Sequence, residues 1–450
     1  MNRILLLGTV LAIFAIGTGC GEVFRPIIIP NPAQFPNPQA AHSVVTINDN
    51  GTVVDGSAMT VDVAGDADIS QKNVGLRPVH AVQQSASTVL VVNQSVAGVA
   101  QESVTRLNFS GISIGSTSTI TLPAGSAPNF VATTEANKAY VSMPQYQNPA
   151  GTVVPSVAVI NTQQNGVVTT LPVGNNPDAI GETPDGSKLY VANQADNTLS
   201  AFNTSDDSTR GVTGSFNSPL WLSARYDSQR IYVLNGNSTV STIDTTTTAG
   251  PDPVIGTLGV PSAAYMVYDT ILNRLYVPGG NQIAILDTSQ SLPSTLATFT
   301  LSALTSRGTG DPCAGTTAGP LSVVAAAALP DGSRAYVGSY YLDNAGNVCP
   351  QVTVITTSNN TIKTNIALPG FPAYAFCADP AQVRFRMSMA AGGDSTRVYL
   401  ASCDGGNVNI INTATDTYLL NVPAPYSVRP PISGSTLNPP QNPVFMIAGP

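Results

Sequence analysis

A pentapeptide of the type G-x-S-x-G runs from Gly111 to Gly115 and places Ser113 where α/β-hydrolases carry their nucleophile. Such a serine stands on a strand-to-helix turn, and its general base is a histidine later in the chain. Both histidines of this sequence, His42 and His80, precede Ser113. The motif is surrounded by Ile, Ser and Thr, which favour a strand hairpin. The sequence therefore does not predict catalysis at this serine.

A second group with possible chemistry is the carboxylate cluster Asp62, Asp66 and Asp68, since calcium prefers oxygen ligands. The spacing lacks the bidentate Glu and the turn Gly of an EF-hand loop, so we interpret it as a solvated turn between strands. Trp221, the only tryptophan, and His80 each open an apolar run. We expect Trp221 to pack in the core and His80 to have a structural role near a central channel.

Sulfur chemistry is the third possibility, because four cysteines follow Cys20 in the chain: Cys313, Cys349, Cys377 and Cys403. Four cysteines can pair in three ways. A zinc site is disfavoured, since the chain has no C-x-x-C pair and only two histidines. The sequence predicts disulfide bonds, no metal centre and no cofactor.

The overall charge excludes one class of partner. Charged residues make up 10% of the chain, the formal net charge is -8 and the sequence pI is about 4.6. Binding to nucleic acid depends on Lys and Arg displacing counterions from phosphates. We therefore expect no DNA or RNA partner.

The elements that must position these residues are short strands that recur along the chain. Segments such as LYVAN from Leu189 and IYVLN from Ile231 alternate with segments such as LSAFNT from Leu199. Asp-Gly turns, as at Asp185, separate them. The tyrosines of these segments recur every 42 to 63 residues, at Tyr140, Tyr190, Tyr232, Tyr276, Tyr336 and Tyr399. Four-stranded antiparallel units at this period are typical of a β-propeller.

The run LYVANQADNTLSAFNT resembles the YVTN family of extracytoplasmic β-propeller repeats, and the resemblance extends over residues 43–449. It implies a disc of blades, often seven, on surface-layer or envelope proteins with few assigned activities. The repeats are also similar to lactonase-type propellers, which implies an enzymatic alternative.

The number of blades follows from complete sets of four strands, called A to D. Seven sets begin near Val79, Asn129, Asp178, Leu220, Ala263, Leu321 and Arg384. The remaining runs fit strands B, C and D at 43–48, 58–63 and 69–75, and a solitary strand A at 443–448. We predict that they form an eighth, composite blade that closes the ring. The alternative is seven blades with an additional hairpin outside the ring.

Repeat position also predicts the disulfide bonds. Cys313 precedes strand A of one blade and Cys349 follows strand B, while Cys377 and Cys403 occupy the equivalent places in the next blade. Equivalent positions favour the pairs Cys313–Cys349 and Cys377–Cys403, which an oxidising compartment permits.

The amino-terminal segment predicts export. Residues 1–19 have a positive Arg3 and a short apolar run, as in a signal peptide. The small residues before Cys20 resemble the lipobox of bacterial lipoproteins, which implies lipid attachment at Cys20, although Gly17 stands where that family usually has Leu. Residues 20–42 are rich in proline and are predicted to be a tether, followed by one propeller domain over residues 43–450. We expect a lipid-anchored protein in the periplasm or on the cell surface.

The longest insertions predict a binding face. Segments 143–155, 302–320, 340–350 and 370–383 should emerge on one side of the disc. The candidate binding residues in or beside them are Tyr146, Tyr340, Tyr341, Asp343, Phe371, Tyr374 and Phe376. They could equally serve only to pack the loops. The function that we expect is a non-enzymatic, monomeric binding or scaffold module for an envelope protein or polysaccharide; the alternative is a lactonase-type hydrolase.

Overall fold

The computed structural model describes residues 43–96, 98–134, 137–430 and 436–449. Over these residues the chain forms eight β-sheets arranged as the blades of a propeller, with one short helix, Ala375–Ala378. The predicted all-β class and the eight-blade count are confirmed. The predicted signal peptide, Cys20 and tether lie outside the described residues.

The strands of each blade are given from the central axis outwards, in the order A, B, C and D. Blade 1 contains Asn442–Ala448, Ser43–Asp49, Ser57–Asp62 and Ala67–Asn73. Blade 2 contains Pro78–Ser85, Thr88–Asn93, Ser103–Ser110 and Ser113–Thr121. Blade 3 contains Val131–Ala132, Lys138–Met143, Ser156–Asn161 and Gly166–Pro172. Blade 4 contains Pro177–Glu182, Lys188–Asn193 and Thr198–Asn203.

The second half of the ring follows the same order. Blade 5 contains Pro219–Ala224, Arg230–Asn235, Thr239–Asp244 and Asp252–Gly259. Blade 6 contains Val267–Asp269, Arg274–Gly279, Gln282–Asp287 and Ser294–Thr300. Blade 7 contains Ala318–Ala328, Arg334–Asp343, Asn347–Thr356 and Thr361–Ala367, with Phe371–Pro372 paired to its strand C. Blade 8 contains Met387–Ala391, Arg397–Ser402, Asn407–Asn412 and Thr417–Pro423.

Blade 4 departs from the repeat because its fourth strand is reduced to a single bridge, between Phe202 and Thr209. The strand Val212–Thr213 pairs in parallel with Asp252–Gly259 of blade 5 instead. Arg210 explains the change, since its guanidinium binds the Asp252 carboxylate of blade 5 at 2.8 Å and draws the segment towards that blade.

Strand B forms the centre of each blade because its residues are β-branched or aromatic and fit a pleated, buried surface. All six residues of Lys188–Asn193 are buried, and so are those of Arg230–Asn235. Strand D is the outer edge, where exposed polar residues predominate, as in Ala67–Asn73. Polar and charged residues on such an edge discourage pairing with other chains.

The ring closes through the two ends of the described chain. Strand A of blade 1, Asn442–Ala448, pairs antiparallel with Ser43–Asp49, with Val44 opposite Ala448 and Asp49 opposite Asn442. Val444, Phe445 and Met446 are buried in this blade. The composite eighth blade is therefore confirmed, and the seven-blade alternative is wrong.

Ion pairs that we call interblade latches join neighbouring blades. In each latch a Lys or Arg at the start of strand B, and the Tyr two residues later, reach an Asp of the next blade, in its C-to-D turn or at the start of its strand D. Lys188 Nζ lies 3.0 Å from Asp252 Oδ1, and the Tyr190 hydroxyl donates to Asp252 Oδ2 at 2.6 Å. The further latches are Lys138 and Tyr140 with Asp207, Arg334 and Tyr336 with Asp416, and Arg397 and Tyr399 with Asp66. The last of these also fastens blade 8 to blade 1.

Several C-to-D turns that receive these latches have an Asp or Asn in the left-handed conformation. Their φ angles are 51° at Asp66, 57° at Asp207 and 52° at Asp416, and 51° at Asn360 of blade 7, which accepts a hydrogen bond from Arg274 of blade 6 at 3.0 Å. Asp and Asn tolerate this conformation better than other residues with side chains. The same residue therefore shapes the turn and supplies the acceptor for the neighbouring blade. Within the described part of the chain, no helix has the length and apolar character needed to span a membrane.

Candidate binding site on the looped face

The B-to-C and D-to-A connections lie on one side of the disc, which we call the looped face, and the A-to-B and C-to-D turns form the short-turn face. The longest D-to-A connections are 301–317, 368–386 and 424–441. The two predicted disulfide bonds are confirmed. Cys313 pairs with Cys349, with Cα atoms 6.0 Å apart, and Cys377 pairs with Cys403, with Cα atoms 5.8 Å apart. Each bond ties a D-to-A connection to the blade that follows it.

The centre of the ring is filled by aromatic side chains instead of forming an open channel. They come from the innermost segments of six blades and comprise His80, Phe130, Trp221, Tyr265, Phe385 and Phe445. The His80 ring stacks on Phe130 with ring centroids 3.7 Å apart, and Trp221 meets Tyr265 edge to face at 5.0 Å. We call this group the aromatic plug. It confirms that Trp221 is a core residue.

His80 is held neutral within the aromatic plug. Burial lowers its pKa well below the usual value, and the nearby Arg384 charge lowers it further. The Val131 N–H donates to His80 Nδ1 at 3.4 Å, which uses one ring nitrogen as an acceptor. A histidine in these surroundings stabilises packing and is a poor candidate for acid-base chemistry.

A segment of the long 368–386 connection, residues 380–384, crosses the axis above the aromatic plug, and we call it the strap. Its last residue, Arg384, donates to Asp178 Oδ1 at 2.6 Å and to the Leu220 carbonyl oxygen at 2.8 Å. The guanidinium carbon also lies 5.2 Å from the centre of the Trp221 ring, within range of a cation–π interaction. Arg384 therefore holds the strap to blades 4 and 5.

Two clefts flank the strap. Cleft 1, with a volume of about 330 Å³, lies between the strap and blades 6, 7 and 8, and its walls include Ser262, Tyr265, Gly279, Ser322, Tyr340 and Arg386. Cleft 2, of about 320 Å³, lies towards blades 1 to 5, and its walls include Val79, Gln94, Asn129, Asp178, Leu220 and Val444. Pro380, Val383, Arg384 and Ala264 line both clefts. Each volume is within the range of small-ligand sites.

Tyr340 is the one predicted binding residue that lines a cleft. It is partly buried, and the guanidinium carbon of Arg386 lies 4.9 Å from the centre of its ring. Arg386 is held in turn by Asp404, which accepts hydrogen bonds at 2.7 and 2.8 Å. Tyr340 therefore sits on a rigid charged pair at the wall of cleft 1.

The neighbouring predicted residues support the loops. Tyr341 is fully buried, and its hydroxyl accepts a hydrogen bond from Arg307 Nε at 3.1 Å. The Asp343 carboxylate accepts backbone N–H bonds from Ala345 and Asn347 at 2.9 and 2.7 Å and fixes the turn of the long blade 7 hairpin. Tyr340 and Tyr341 take different roles because successive side chains of a strand point to opposite faces.

The remaining predicted residues are spread over the looped face. Phe371 pairs with strand C of blade 7, and Tyr374 lies 6.0 Å from Phe376, centroid to centroid, with the Arg429 guanidinium 4.6 Å from the Tyr374 ring. Tyr146 packs against the core of blades 2 and 3, across the ring from blade 7. The structure does not bring Tyr146 together with the others.

The groups first considered for chemistry have ordinary structural places. Ser113 begins strand D of blade 2, in a hairpin rather than on a strand-to-helix turn. The prediction of a solvated turn fails for Asp66, because that carboxylate is the acceptor of the Arg397 latch. Cys313, Asp343 and Cys349 lie together with the spacing of metal ligands, but the two sulfurs are bonded to each other and offer no thiolate.

Sequence reasoning missed Arg384, Arg386 and Tyr265 as site residues. Arg384 was noted only as the start of a strand A, and Tyr265 lies outside the repeated motifs. One signal was present, since two arginines flank Phe385 in a chain with only 10% charged residues. Charges placed in an innermost, otherwise apolar segment need partners, and here these are Asp178 and Asp404.

Comparison with known proteins agrees with the propeller fold. No family model and no curated protein matches this sequence, so the similarity to YVTN repeats remains a resemblance. Among solved structures, an apo form of AztD from Citrobacter koseri is 11% identical, with a TM-score of 0.58 over 91% of this chain and 98% of its own. A functionally unknown protein from Desulfotomaculum acetoxidans is 13% identical, with a TM-score of 0.50 over 72% of this chain and 95% of its own. Likeness at this level concerns the fold alone.

Proposed function

We propose that this protein is exported, carries a lipid at Cys20, and acts as a monomeric binding or scaffold module of the bacterial cell envelope. The observation that carries the proposal is the pair of clefts beside the strap on the looped face. Loops fixed on a rigid scaffold are common places for binding. The partner is an envelope protein or polysaccharide.

The location is supported by the two disulfide bonds, which form and persist in oxidising compartments. Lipid attachment rests on the sequence around Cys20 alone. The proposal assigns no catalytic activity to the protein. Two groups near the axis support this, since His80 is neutral in the aromatic plug and Asp178 is paired with Arg384. A lactonase-type hydrolase would instead need an accessible acid-base pair or metal at the axis.

The test is retention on envelope fractions, using the full chain with Cys20→Ser so that no lipid contributes. Tyr340→Ala should reduce retention about tenfold or more, as expected when an aromatic contact at the centre of an interface is removed. Tyr426→Ala is the matched control, because Tyr426 is 63% exposed on the same face and lines neither cleft. Equal retention of the two variants would remove the looped-face clefts from the proposal. Turnover of a lactone panel that a chelator abolishes would favour the hydrolase.

A further inference from the structure

We propose that cleft 1 binds a segment of neutral saccharide, which would make an uncharged polysaccharide the partner of the looped face. The inference rests on the proposed binding function and goes beyond it by naming the chemical class of the ligand. It is argued from the charge balance of the cleft, from a tyrosine hydroxyl that has no protein partner, and from the aromatic residues in its walls.

The charge balance favours a neutral ligand. Arg384 and Arg386 are the only charged residues among the described residues that line cleft 1. Arg384 is paired with Asp178 at 2.6 Å, and Arg386 with Asp404 at 2.7 Å. An anionic ligand would have to compete with these carboxylates for the guanidinium groups, because binding of phosphate or carboxylate uses the same donors.

Tyr265 supplies a fixed hydrogen-bonding group without a protein partner. Its ring is held edge to face against Trp221 at 5.0 Å and Phe385 at 5.6 Å. Burial raises the pKa of the Tyr265 hydroxyl, so this group remains protonated and able to donate. Tyr265 is partly buried and lines cleft 1, and no hydrogen bond joins its hydroxyl to another described residue, so the hydroxyl is open to a ligand in the cleft. A ligand hydroxyl in cleft 1 would complete this contact.

Other walls of the cleft suit a hydroxylated ligand. Ser262 and Ser322 add two short hydroxyl side chains, and the exposed Gly280 also lines the cleft. Arg386, whose charge is offset by the buried Asp404 carboxylate, places guanidinium donors beside the Tyr340 ring. Sugar rings combine many hydroxyl groups with patches of C–H, so they match a site that mixes aromatic rings and neutral hydrogen-bonding groups.

The experiment is saturation-transfer NMR on the full chain with Cys20→Ser, using maltohexaose, cellohexaose and hexa-N-acetylchitohexaose as neutral probes. Hexaalanine and hexagalacturonate serve as peptide and anionic probes. We expect saturation transfer to at least one neutral hexaose. Tyr265→Phe should weaken that binding about 2- to 10-fold, the effect of one lost neutral hydrogen bond, while leaving the melting temperature at or above the wild-type value. Tyr340→Ala should weaken binding of the neutral hexaose more than Tyr265→Phe does, and Tyr426→Ala should leave that binding unchanged.

Three outcomes would overturn the inference: no transfer to any neutral hexaose, transfer that neither Tyr265→Phe nor Tyr340→Ala changes, or preferential binding of hexaalanine or hexagalacturonate. Its failure can be separated from that of the proposed function. If Tyr340→Ala loses retention on envelope fractions while no neutral hexaose binds, the looped face binds a partner of another class. If retention is also unchanged, the proposed function fails as well.

Discussion

The two faces of the disc use their charged residues differently. On the short-turn face, cations are distributed by the repeat, and each latch joins one blade to the next, as Lys188 does with Asp252. On the looped face, Arg384 and Arg386 belong to one insertion, where Arg384 holds the strap and Arg386 pairs with Asp404 beside cleft 1. The comparison indicates that charges which follow the repeat stabilise the ring, whereas charges which depart from it shape the clefts.

The largest expected effect concerns ring closure, on which both faces depend. Deleting residues 441–450 removes strand A of blade 1 and the buried side chains of Val444, Phe445 and Met446. Burial of three such side chains contributes about 5 to 9 kcal/mol, which is comparable to the whole stability of many domains. We expect loss of the cooperative thermal transition, measured by circular dichroism.

The matched control for this truncation deletes Gly449 and Pro450 alone, which leaves strand A complete. It should melt like the full chain. Cooperative melting of the longer deletion at the wild-type temperature would contradict the role of the composite blade in closing the ring.

The next effect breaks a latch on the short-turn face. Asp252 is fully buried and accepts bonds from Lys188, Arg210 and Tyr190. Burial opposes its ionisation, but hydrogen bonds from Arg210 and Thr247 hold the pKa of Asp252 below its usual value. Asp252→Ala would leave two cations without their counter-charge and should lower the free energy of unfolding by about 3 to 5 kcal/mol in urea denaturation.

Asp206→Ala is the control for this latch. Asp206 is an exposed turn residue of the same region whose carboxylate bonds only to the neighbouring Ser208. Its replacement should change stability by no more than about 0.5 kcal/mol. Similar losses in the two variants would mean that the latch adds nothing beyond a surface charge.

A smaller change in stability, which depends on pH, is expected from Asp49 on the looped face. Burial raises the pKa of Asp49 to about 6, against lowering contributions from the Gly51 N–H and from Arg77 and Arg429. Between about pH 4 and pH 6 the folded protein therefore binds more protons at this group than the unfolded chain does. Its contribution to stability is present at low pH and is lost as pH rises through this window, by up to about 3 kcal/mol.

Asp49→Asn isolates this contribution, because the amide oxygen can still accept from Gly51 and does not ionise. The stability difference between Asp49→Asn and the wild type should grow in favour of the variant from pH 4 to pH 7, as measured by urea denaturation at each pH. A constant difference over that range would show that Asp49 has an unperturbed pKa.

The smallest effect on stability should come from the strap. Arg384→Gln removes the ion pair with Asp178 and the cation–π contact with Trp221, which together contribute about 1 to 2 kcal/mol. Trp221 is the only tryptophan, so acrylamide quenching of its fluorescence reports directly on the cover above the aromatic plug. We expect faster quenching in Arg384→Gln. Arg429→Gln removes contacts with Tyr374, Ser427 and Pro440 but none with Trp221, and it should quench like the wild type.

The fold was predictable where contacts are local and repeated. Strand B segments such as Lys188–Asn193, the two disulfide pairs and the composite blade all follow from period and position in the repeat. Blade 4 was predicted with four full strands, and it deviates because Arg210 and Asp252 meet across a blade boundary. No pattern within one repeat contains that contact.

The candidate site was less predictable because it depends on where a connection without a repeat folds. Tyr340 and Tyr341 are adjacent and chemically identical, yet one lines cleft 1 and the other is buried beneath a loop. The aromatic plug gathers residues from six blades, so no single stretch of sequence reveals that the axis is filled. These features arise from contacts between distant parts of the chain, and the repeat period of the sequence carries no information about such contacts.

The position of Ser43 decides which side of the disc an amino-terminal attachment would leave available. Ser43 lies opposite Asp62 at the beginning of the C-to-D turn, which places it on the short-turn face, away from the clefts. An attachment made on the amino-terminal side of Ser43 would therefore hold the protein at its short-turn face and leave the clefts of the looped face pointing away from the attachment. The position of the first strand would then decide which face of the disc points away from the attachment. No individual contact within the clefts determines this.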